Sequence, residues 1–364
     1  MKIDFAKLGL AYVEHKKEID AAIAKVIDNS SFIMGAQVSS FENNLSRYTG
    51  AKHSISCSSG TDALLLAMMA IDIQPGDEII TTPFTFIATA ETIAFLKAKP
   101  VFVDIDEESY NIDPSKIEAA ITSRTKAIIP VSLYGQPSDM TEINEIARKY
   151  DLTVIEDAAQ SFGSEYKGDK SCNISSIGCT SFFPAKPLGC FGDGGAVFTN
   201  NDKLAEIMKS LRLHGQTERY FHKYVGMGGR LDTIQAAVLN VKLKYYEEDV
   251  KRRQLVAQKY TELLKEKLIT PIVKDDRTSV WAQYSVRVKN RDGVQNKLKS
   301  VGIPTAVHYP RPLHLQECFE YLNYKEGDFP VSEMVSKEIM SLPMNPYLKD
   351  EEINYIATNL INIF

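Results

Sequence analysis

The sequence predicts an α/β fold in which helices cover both faces of a mostly parallel sheet. Short apolar segments that suit buried strands alternate with segments of helical periodicity between about residues 78 and 155. Such alternation is typical of parallel sheets whose strands are joined by helices. Acidic, small and aromatic residues follow several of these strands, at the edge where such sheets bind their ligands.

The elements are predicted from periodicity along the chain. Two helices come first, one through Ile19–Ile27 and one through Val38–Tyr48. The next strands are expected at 78–82, 101–104, 127–131 and 153–155, and the helices between them at 88–96, 114–121 and 140–150. A long helical stretch at 232–264, a strand at 284–288 and a helix at 294–301 follow. We therefore expect a large domain at residues 1–244 and a small C-terminal domain at 245–364.

Composition excludes several classes of protein. Hydrophobic residues make up 44% of the 364 residues and charged residues 24%, as in ordinary globular proteins. The net charge of −5 and the short basic clusters argue against nucleic acid or an anionic membrane as the main partner. No apolar stretch reaches the roughly 18 residues of a membrane span, and the N-terminus does not resemble a signal peptide.

The five cysteines predict neither disulfides nor a metal site. Their number is odd and no two of them have CxxC spacing. A disulfide framework or a zinc site is therefore not expected, and a reducing cytoplasm suits the chain.

Two polar segments follow predicted strands or open a predicted helix. Small residues at 58–62 precede an apolar run, so the free N–H groups of the helix start would suit a phosphate, although an ordinary N-cap has the same composition. Glu156 and Asp157 end an apolar strand. An acid there can pair with the pyridine nitrogen of a bound cofactor, or equally form a structural salt bridge or N-cap.

The most informative segment surrounds Lys186. This lysine lies in an apolar run and precedes four glycines between residues 189 and 195. Burial lowers the pKa of a lysine and makes its amine a good Schiff-base nucleophile, while glycines let the backbone approach a ligand closely. From the residues alone, a surface lysine before a glycine-rich turn remains the alternative.

Two further segments are candidates for ligand contacts. Thr81–Phe86 ends a strand with aromatic rings that would either stack on a planar cofactor or belong to the core. Prolines stiffen residues 302–314, where His308 and His314 lie six apart without other metal ligands nearby. We interpret this second segment as a substrate-facing loop.

Taken together, these segments resemble the DegT/StrS family of sugar-nucleotide aminotransferases, a branch of the fold-type I enzymes that use pyridoxal 5'-phosphate (PLP). Seven segments match in order along essentially the whole chain: SSGTDAL, TTPFTFIATAET, KAIIPVSLYGQ, VIEDAAQSFG, TSFFPAKPLGCFGDGGAVFTN, RLDTIQAAVL and GIPTAVHYPRPLHLQ. The resemblance implies a large domain with a mostly parallel, seven-stranded mixed sheet and a smaller C-terminal α+β domain.

The resemblance also implies a role for each matching residue. Lys186 would be the catalytic Schiff-base lysine, and Asp157 the acid at the pyridine nitrogen. The other cofactor-binding positions are Gln160 beside the ring hydroxyl, Phe86 stacked on the ring, and Ser181, Gly60 and Thr61 around the phosphate. Arg230, His308 and Tyr309 match positions near the sugar substrate, some of which reach over from a partner subunit. A homodimer with shared active sites is therefore implied.

One position departs from the family pattern. Where the family has Gly-x-Asn-x-Arg, this chain has Gly226-Met227-Gly228-Gly229-Arg230. The missing asparagine would reach the cofactor phosphate of the partner chain. Its hydrogen bond, of roughly 1.5–3 kcal/mol, is either absent or replaced by water or a backbone amide.

The resemblance implies amino transfer from L-glutamate to a nucleotide-linked keto-sugar. The segments around Lys186 and His308 are most similar to those of enzymes that aminate C3 of UDP-2-acetamido-2-deoxy-3-oxo-glucuronate for bacterial surface glycans. Arg230 or Arg311 would bind the sugar carboxylate. Amination at C4 of a UDP- or dTDP-linked sugar is the alternative. Lys186 argues against a PLP-dependent sugar dehydratase. The complete set of Lys186, Asp157 and Gln160 argues against a non-catalytic sensor. The chain has no GxGxxG motif after an early strand, which argues against a nicotinamide-binding enzyme.

Overall fold

A computed structural model describes residues 1–364. The helices are α1 (Leu8–Asp28), α2 (Ala36–Thr49), α3 (Gly60–Ala70), α4 (Ala88–Phe95), α5 (Met140–Lys149), α6 (Asp202–Leu211), α7 (Thr233–Leu243), α8 (Tyr246–Leu264), α9 (Arg291–Ser300), α10 (Pro330–Glu338) and α11 (Asp350–Ile361). The strands are β1 (His53–Cys57), β2 (Glu78–Thr81), β3 (Lys99–Phe102), β4 (Thr125–Ile128), β5 (Thr153–Asp157), β6 (Glu165–Tyr166), β7 (Asp169–Lys170), β8 (Ile177–Ser181), β9 (Gly195–Thr199), β10 (Gln216–Glu218), β11 (Phe221–His222), β12 (Tyr284–Arg287) and β13 (Ile339–Leu342).

Seven strands form the central sheet in the order β1-β9-β8-β5-β4-β2-β3. Every neighbouring pair from β8 to β3 is parallel, whereas β9 runs antiparallel to both β1 and β8. The predicted mostly parallel, seven-stranded mixed sheet is therefore confirmed. Strand β2 is buried along its whole length, and β5 and β8 are buried except at one end residue each, as the continuous apolar segments had indicated.

Separate apolar clusters cover the faces of the sheet. On one face, α3 packs over β1, β5 and β8 through residues such as Leu66 and Met68. On the other face, α2 and α7 contribute Phe41, Leu45 and Leu239. A third cluster joins α8, α9 and α11 to the β12–β13 pair in the C-terminal part. The exact domain boundary at residue 245 stays a prediction.

Two sequence-based predictions of helices need correction. The helix expected at 114–121 is instead two short 3-10 turns, Pro114–Lys116 and Glu118–Ala120. Only Ile117 is fully buried in this segment, so too few apolar contacts hold it to continue as a longer helix. The single stretch at 232–264 is divided into α7 and α8, because the chain turns at Lys244 and Tyr245 and buries Tyr246 against Phe162.

Several strand boundaries also differ from the prediction. Strands β3 and β4 each begin two residues earlier than expected, at Lys99 and Thr125, and β4 ends at Ile128. Both early residues are polar and lie in the backbone ladder at the end of the sheet, where an apolar pattern does not reveal them. None of the helices combines the length and the apolar character that crossing a bilayer requires.

Candidate active site

The carboxyl ends of β2, β5 and β8 bring most of the predicted residues together at one edge of the sheet. Asp157 is the last residue of β5 and Ser181 the last residue of β8. The segment after β2 leads through Phe86 into α4. Because parallel strands end at the same edge, residues distant in sequence meet in a single crevice there.

Asp157 is a buried carboxylate, with 6% of its surface exposed. Its Oδ2 accepts a hydrogen bond of 2.7 Å from the Thr89 hydroxyl, and its Oδ1 accepts one of 3.2 Å from the Ala159 N–H. Burial raises the pKa of Asp157, and these donors, together with the charge of Lys186, oppose that rise. The side chain is thus oriented on both oxygens.

Lys186 lies on the turn that follows β8 and is partly covered by the surrounding chain. Burial lowers the pKa of its amine, and the negative charge of Asp157 acts in the opposite direction. A lysine with a lowered pKa is more often neutral, and only the neutral amine is a nucleophile or accepts a proton. The structure therefore places an amine with a lowered pKa near the buried carboxylate of Asp157.

Gln160 connects three parts of the crevice. Its Oε1 accepts from the N–H of Tyr134, at 2.9 Å, and its Nε2 donates to the Tyr309 hydroxyl, at 3.3 Å. The Tyr134 hydroxyl in turn donates to the carbonyl of His308. The loop that carries His308 and Tyr309 is thus fastened to the residues that follow β4 and β5.

Phe86 and Tyr309 form an aromatic wall. Their ring centroids are 6.1 Å apart, and 52% of the Phe86 surface is exposed. His308 lies behind this wall, where its Nδ1 is 2.9 Å from the Ser341 hydroxyl. Burial, and secondly the nearby Lys186, lower the pKa of His308 to about 4, so this imidazole is neutral at physiological pH. A planar ligand would find one exposed aromatic face here.

The start of α3 lies against the end of β8. Ser59 caps the helix by accepting from the Asp62 N–H at 3.0 Å. A Cβ on Gly60 would come within 2.7 Å of the Ser181 Cβ, so only glycine allows this approach. Thr61 follows on the first turn and is partly exposed. The free N–H groups of this helix start, beside the Ser181 hydroxyl, suit a phosphate.

Arg230 approaches the same helix start from another segment. The carbonyl of its neighbour Gly229 accepts from the Ser58 N–H at 3.1 Å, and Arg230 itself is partly buried. Arg311, by contrast, is exposed on the proline-rich loop. Gly228 is exposed, and a Cβ on it would lie 3.1 Å from the His214 ring. His214 thus occupies space beside the position where the family carries its asparagine.

Two residues of this site were not found from the sequence, Thr89 and Tyr134. Thr89 lies four residues after Thr85 in the segment that follows β2, and both are buried. A pair of threonines at helical spacing after a strand end was the available signal. Tyr134 has a left-handed backbone with φ of 58°, which no feature of its sequence segment predicts.

The arrangement fits PLP at each of its groups. The helix start and Ser181 offer donors for a phosphate, and the exposed face of Phe86 suits a pyridine ring. The buried carboxylate of Asp157 suits a protonated ring nitrogen, and Lys186 suits the aldehyde carbon. A buried acid, a low-pKa lysine and a phosphate cradle at one sheet edge are what amino transfer with this cofactor requires.

Comparison with known proteins agrees with this geometry. The model of the DegT/DnrJ/EryC1/StrS aminotransferase family matches residues 13–361. A UDP-2-acetamido-2-deoxy-3-oxo-D-glucuronate aminotransferase from Pseudomonas aeruginosa is 52% identical, over 99% of this chain and 100% of that protein.

Solved structures agree as well. A DegT DnrJ EryC1 StrS aminotransferase from Brucella abortus superimposes with a TM-score of 0.96 at 41% identity, over 99% of both chains. NtdA from Bacillus subtilis, solved with bound cofactor PMP, has a TM-score of 0.93 at 30% identity, over 100% of this chain and 85% of that one. The predicted fold type and the predicted cofactor are confirmed by these similarities.

Proposed function

Because the chain belongs to the DegT/DnrJ/EryC1/StrS aminotransferase family, we propose that it moves an amino group from L-glutamate to C3 of UDP-2-acetamido-2-deoxy-3-oxo-glucuronate. The observation that carries the proposal is the buried, hydrogen-bonded carboxylate of Asp157, with the partly buried Lys186 near it at the carboxyl edge of the sheet. The 52% identity to a Pseudomonas aeruginosa aminotransferase named for this sugar supports the choice of substrate. We assign the reaction to the biosynthesis of bacterial surface glycans such as lipopolysaccharide O-antigen.

The cofactor supplies the electron-withdrawing ring and carries the amino group between donor and acceptor. The residues of the chain bind and orient the cofactor and move the protons. Lys186, whose pKa is lowered by burial, would hold the cofactor at its aldehyde carbon, and its neutral amine is suited to moving a proton at the reacting carbon. Asp157, whose two oxygens are oriented by Thr89 and the Ala159 N–H, would hold the ring nitrogen of the cofactor and favour a proton on it. Gln160 and Tyr309, joined by a hydrogen bond, would lie on the side of the ring hydroxyl.

Arg230 is proposed to bind the carboxylate of the sugar. It is partly buried near the start of α3, whereas Arg311 is exposed and would lose more freedom on binding. A planar guanidinium suits a carboxylate because it donates two parallel hydrogen bonds. His308, which is neutral at physiological pH, and Tyr309 are proposed to contact the sugar from the proline-rich loop.

A homodimer with shared sites completes the proposal. Exposed apolar side chains surround the Arg230 segment: Phe32 and Ile33 beside α7, and Tyr220, Phe221 and Val225 after β10. Apolar surface of this kind suits burial against a second copy of the chain. We assign Arg230 as the residue that reaches the partner's site, because its segment lies among these exposed apolar side chains. All five cysteines are free and four of them are buried, which suits the cytoplasm.

The substrate is tested with a panel of sugars and purified enzyme. UDP- and dTDP-linked 3-keto and 4-keto sugars are supplied with L-glutamate, and 2-oxoglutarate is measured. We expect the 3-keto glucuronate to react fastest, and Arg230→Gln to slow it more than Arg311→Gln does. The same variants are compared on a 3-keto sugar without the carboxylate, where Arg230→Gln should have little effect. Faster turnover of a 4-keto sugar would overturn the proposed position of amination.

Lys186→Ala tests the chemistry itself. Loss of the amine should remove the visible absorption of the bound cofactor and lower turnover by about 10⁴-fold or more. Lys149→Ala, which removes an exposed ion-paired lysine, is the matched control and should remain active. Undiminished turnover by Lys186→Ala would refute the assignment.

Mixed dimers test the shared site. Lys186→Ala and Arg230→Ala subunits are each inactive, but random mixing should restore about a quarter of the wild-type activity if Arg230 acts across the interface. Lys186→Ala mixed with Tyr309→Ala should restore nothing, because both residues belong to the same chain's site. Equal results from the two mixtures would contradict the assignment of Arg230 to the partner.

A further inference from the structure

Three hydroxyl and carboxyl groups form a buried chain behind the proposed cofactor ring. The Thr85 and Thr89 hydroxyls are 3.2 Å apart, and the Thr89 hydroxyl is 2.7 Å from Asp157 Oδ2. Thr85 is 2% exposed and Thr89 is 1% exposed. This row of three hydrogen-bonded groups is therefore shielded from water.

The direction of these hydrogen bonds follows from proton counting. An ionised carboxylate only accepts hydrogen bonds, and a hydroxyl donates a single proton. If Asp157 is ionised, Thr89 must donate to it, and the Thr89 oxygen must then accept from Thr85. Thr85 thus donates to Thr89, and Thr89 donates to the carboxylate. We call these two hydrogen-bonded threonines the relay.

Such a relay opposes the effect of burial on the acid. Burial raises the pKa of Asp157, and the Thr89 hydroxyl is the first of the contacts that lower it again. Asp157 holds a proton on the ring nitrogen only while it is itself ionised. The relay also fixes the plane of the carboxylate, since Oδ1 is held separately by the Ala159 N–H.

We propose that Thr89, supported by Thr85, is a positioning residue that keeps Asp157 ionised and oriented toward the ring nitrogen of the cofactor. The proposal rests on the proposed function, because it assumes that PLP occupies this crevice. The helix start that presents Phe86 to the ring face also presents Thr89 to the acid at the ring edge.

The test compares Thr89→Val with Thr89→Ser and Thr92→Val. Valine keeps the shape of threonine without its hydroxyl, and serine keeps the hydroxyl. Thr92 is the matched control, because it is fully buried in the same helix but donates to the backbone carbonyl of Ala88 at 2.8 Å. Each protein is reconstituted with PLP labelled with ¹⁵N at the ring nitrogen. The ¹⁵N chemical shift reports whether that nitrogen is protonated, independently of turnover.

Thr89→Val should move the ¹⁵N shift toward that of the unprotonated ring and weaken PLP binding by roughly ten- to a hundredfold. Thr89→Ser and Thr92→Val should resemble the wild type. Thr85→Val should change the shift in the same direction by less, and it serves as the second variant should Thr89→Val not fold. Wild-type shifts in both Thr89→Val and Thr85→Val would overturn the proposal. Failure of the wild-type protein to bind PLP would instead refute the proposed function.

Discussion

The two ends of the proposed cofactor site differ in how much of the binding the chain itself provides. At the ring end, Asp157 and Gln160 are almost fully buried and each makes two hydrogen bonds within the chain. At the phosphate end, the chain itself offers the start of α3 and the Ser181 hydroxyl. The residues present would thus hold the ring end through buried, oriented side chains, and the phosphate end through backbone amides and the Ser181 hydroxyl.

The largest expected effect separates two adjacent acids at the ring end. Asp157→Asn should lower turnover by on the order of a hundredfold or more, since a neutral amide does not stabilise the charged ring nitrogen. Glu156 faces the opposite direction and accepts from Ser132, Ser171 and the Cys172 N–H. Glu156→Gln should instead lower the free energy of unfolding by about 1–3 kcal/mol.

Turnover and urea unfolding of both variants measure this contrast. The folded Glu156→Gln enzyme should work at nearly the wild-type rate, and Asp157→Asn should unfold at nearly the wild-type urea concentration. If Glu156→Gln abolished turnover without loss of stability, the division of roles between the two acids would be wrong.

An intermediate effect is expected at the phosphate end. Gly228→Asn restores the side chain that the family pattern contains, and PLP should bind about tenfold more tightly through one added hydrogen bond. Its Cβ would meet the His214 ring at 3.1 Å, so this exposed ring must move slightly. Fluorescence titration of the cofactor-free protein measures the affinity.

The double variant Gly228→Asn with His214→Ala serves as the control for this crowding. It should bind PLP at least as tightly as Gly228→Asn alone. Unchanged affinity in both variants would show that the phosphate end is already saturated with donors, which would remove the difference between the two ends.

The smallest expected effect concerns His308. Burial lowers its pKa to about 4 in the folded protein, below the usual 6.5 or so of an unfolded chain. The unfolded chain therefore takes up this proton first as the pH falls, and protonation favours unfolding between about pH 6.5 and pH 4. Between pH 7 and pH 5.5 this histidine should cost about 1 kcal/mol of stability. Urea unfolding of His308→Gln should show a correspondingly flatter pH dependence, and an unchanged slope would contradict the lowered pKa.

The sequence predicted those features of the molecule that depend on residues close together in the chain. Continuous apolar segments gave the buried strands β2 and β5, and the glycines near Lys186 indicated a close approach of backbone to ligand. Ser59 and Gly60 indicated a helix start. The family resemblance then gave each residue a role, because one motif alone left a structural alternative open at every position.

What escaped prediction depends on contacts between distant segments. Residues 114–121 have helical periodicity, but only Ile117 is anchored, so two 3-10 turns form instead. The bond from Thr89 to Asp157 spans 68 positions, and the bond from Tyr134 to the His308 carbonyl spans 174. No local pattern reports such pairs, which exist only once the sheet and its loops are packed.

The place of β1 in the sheet affects the order in which parts of the fold can assemble during synthesis. Strand β1 leads directly into the helix start at Gly60, yet its sheet neighbour is β9, about 140 residues further along the chain. A growing chain on the ribosome can pair β2, β3, β4 and β5 well before β9 has been synthesised. The start of α3 can therefore take its place beside Ser181 only after β8 and β9 have been synthesised.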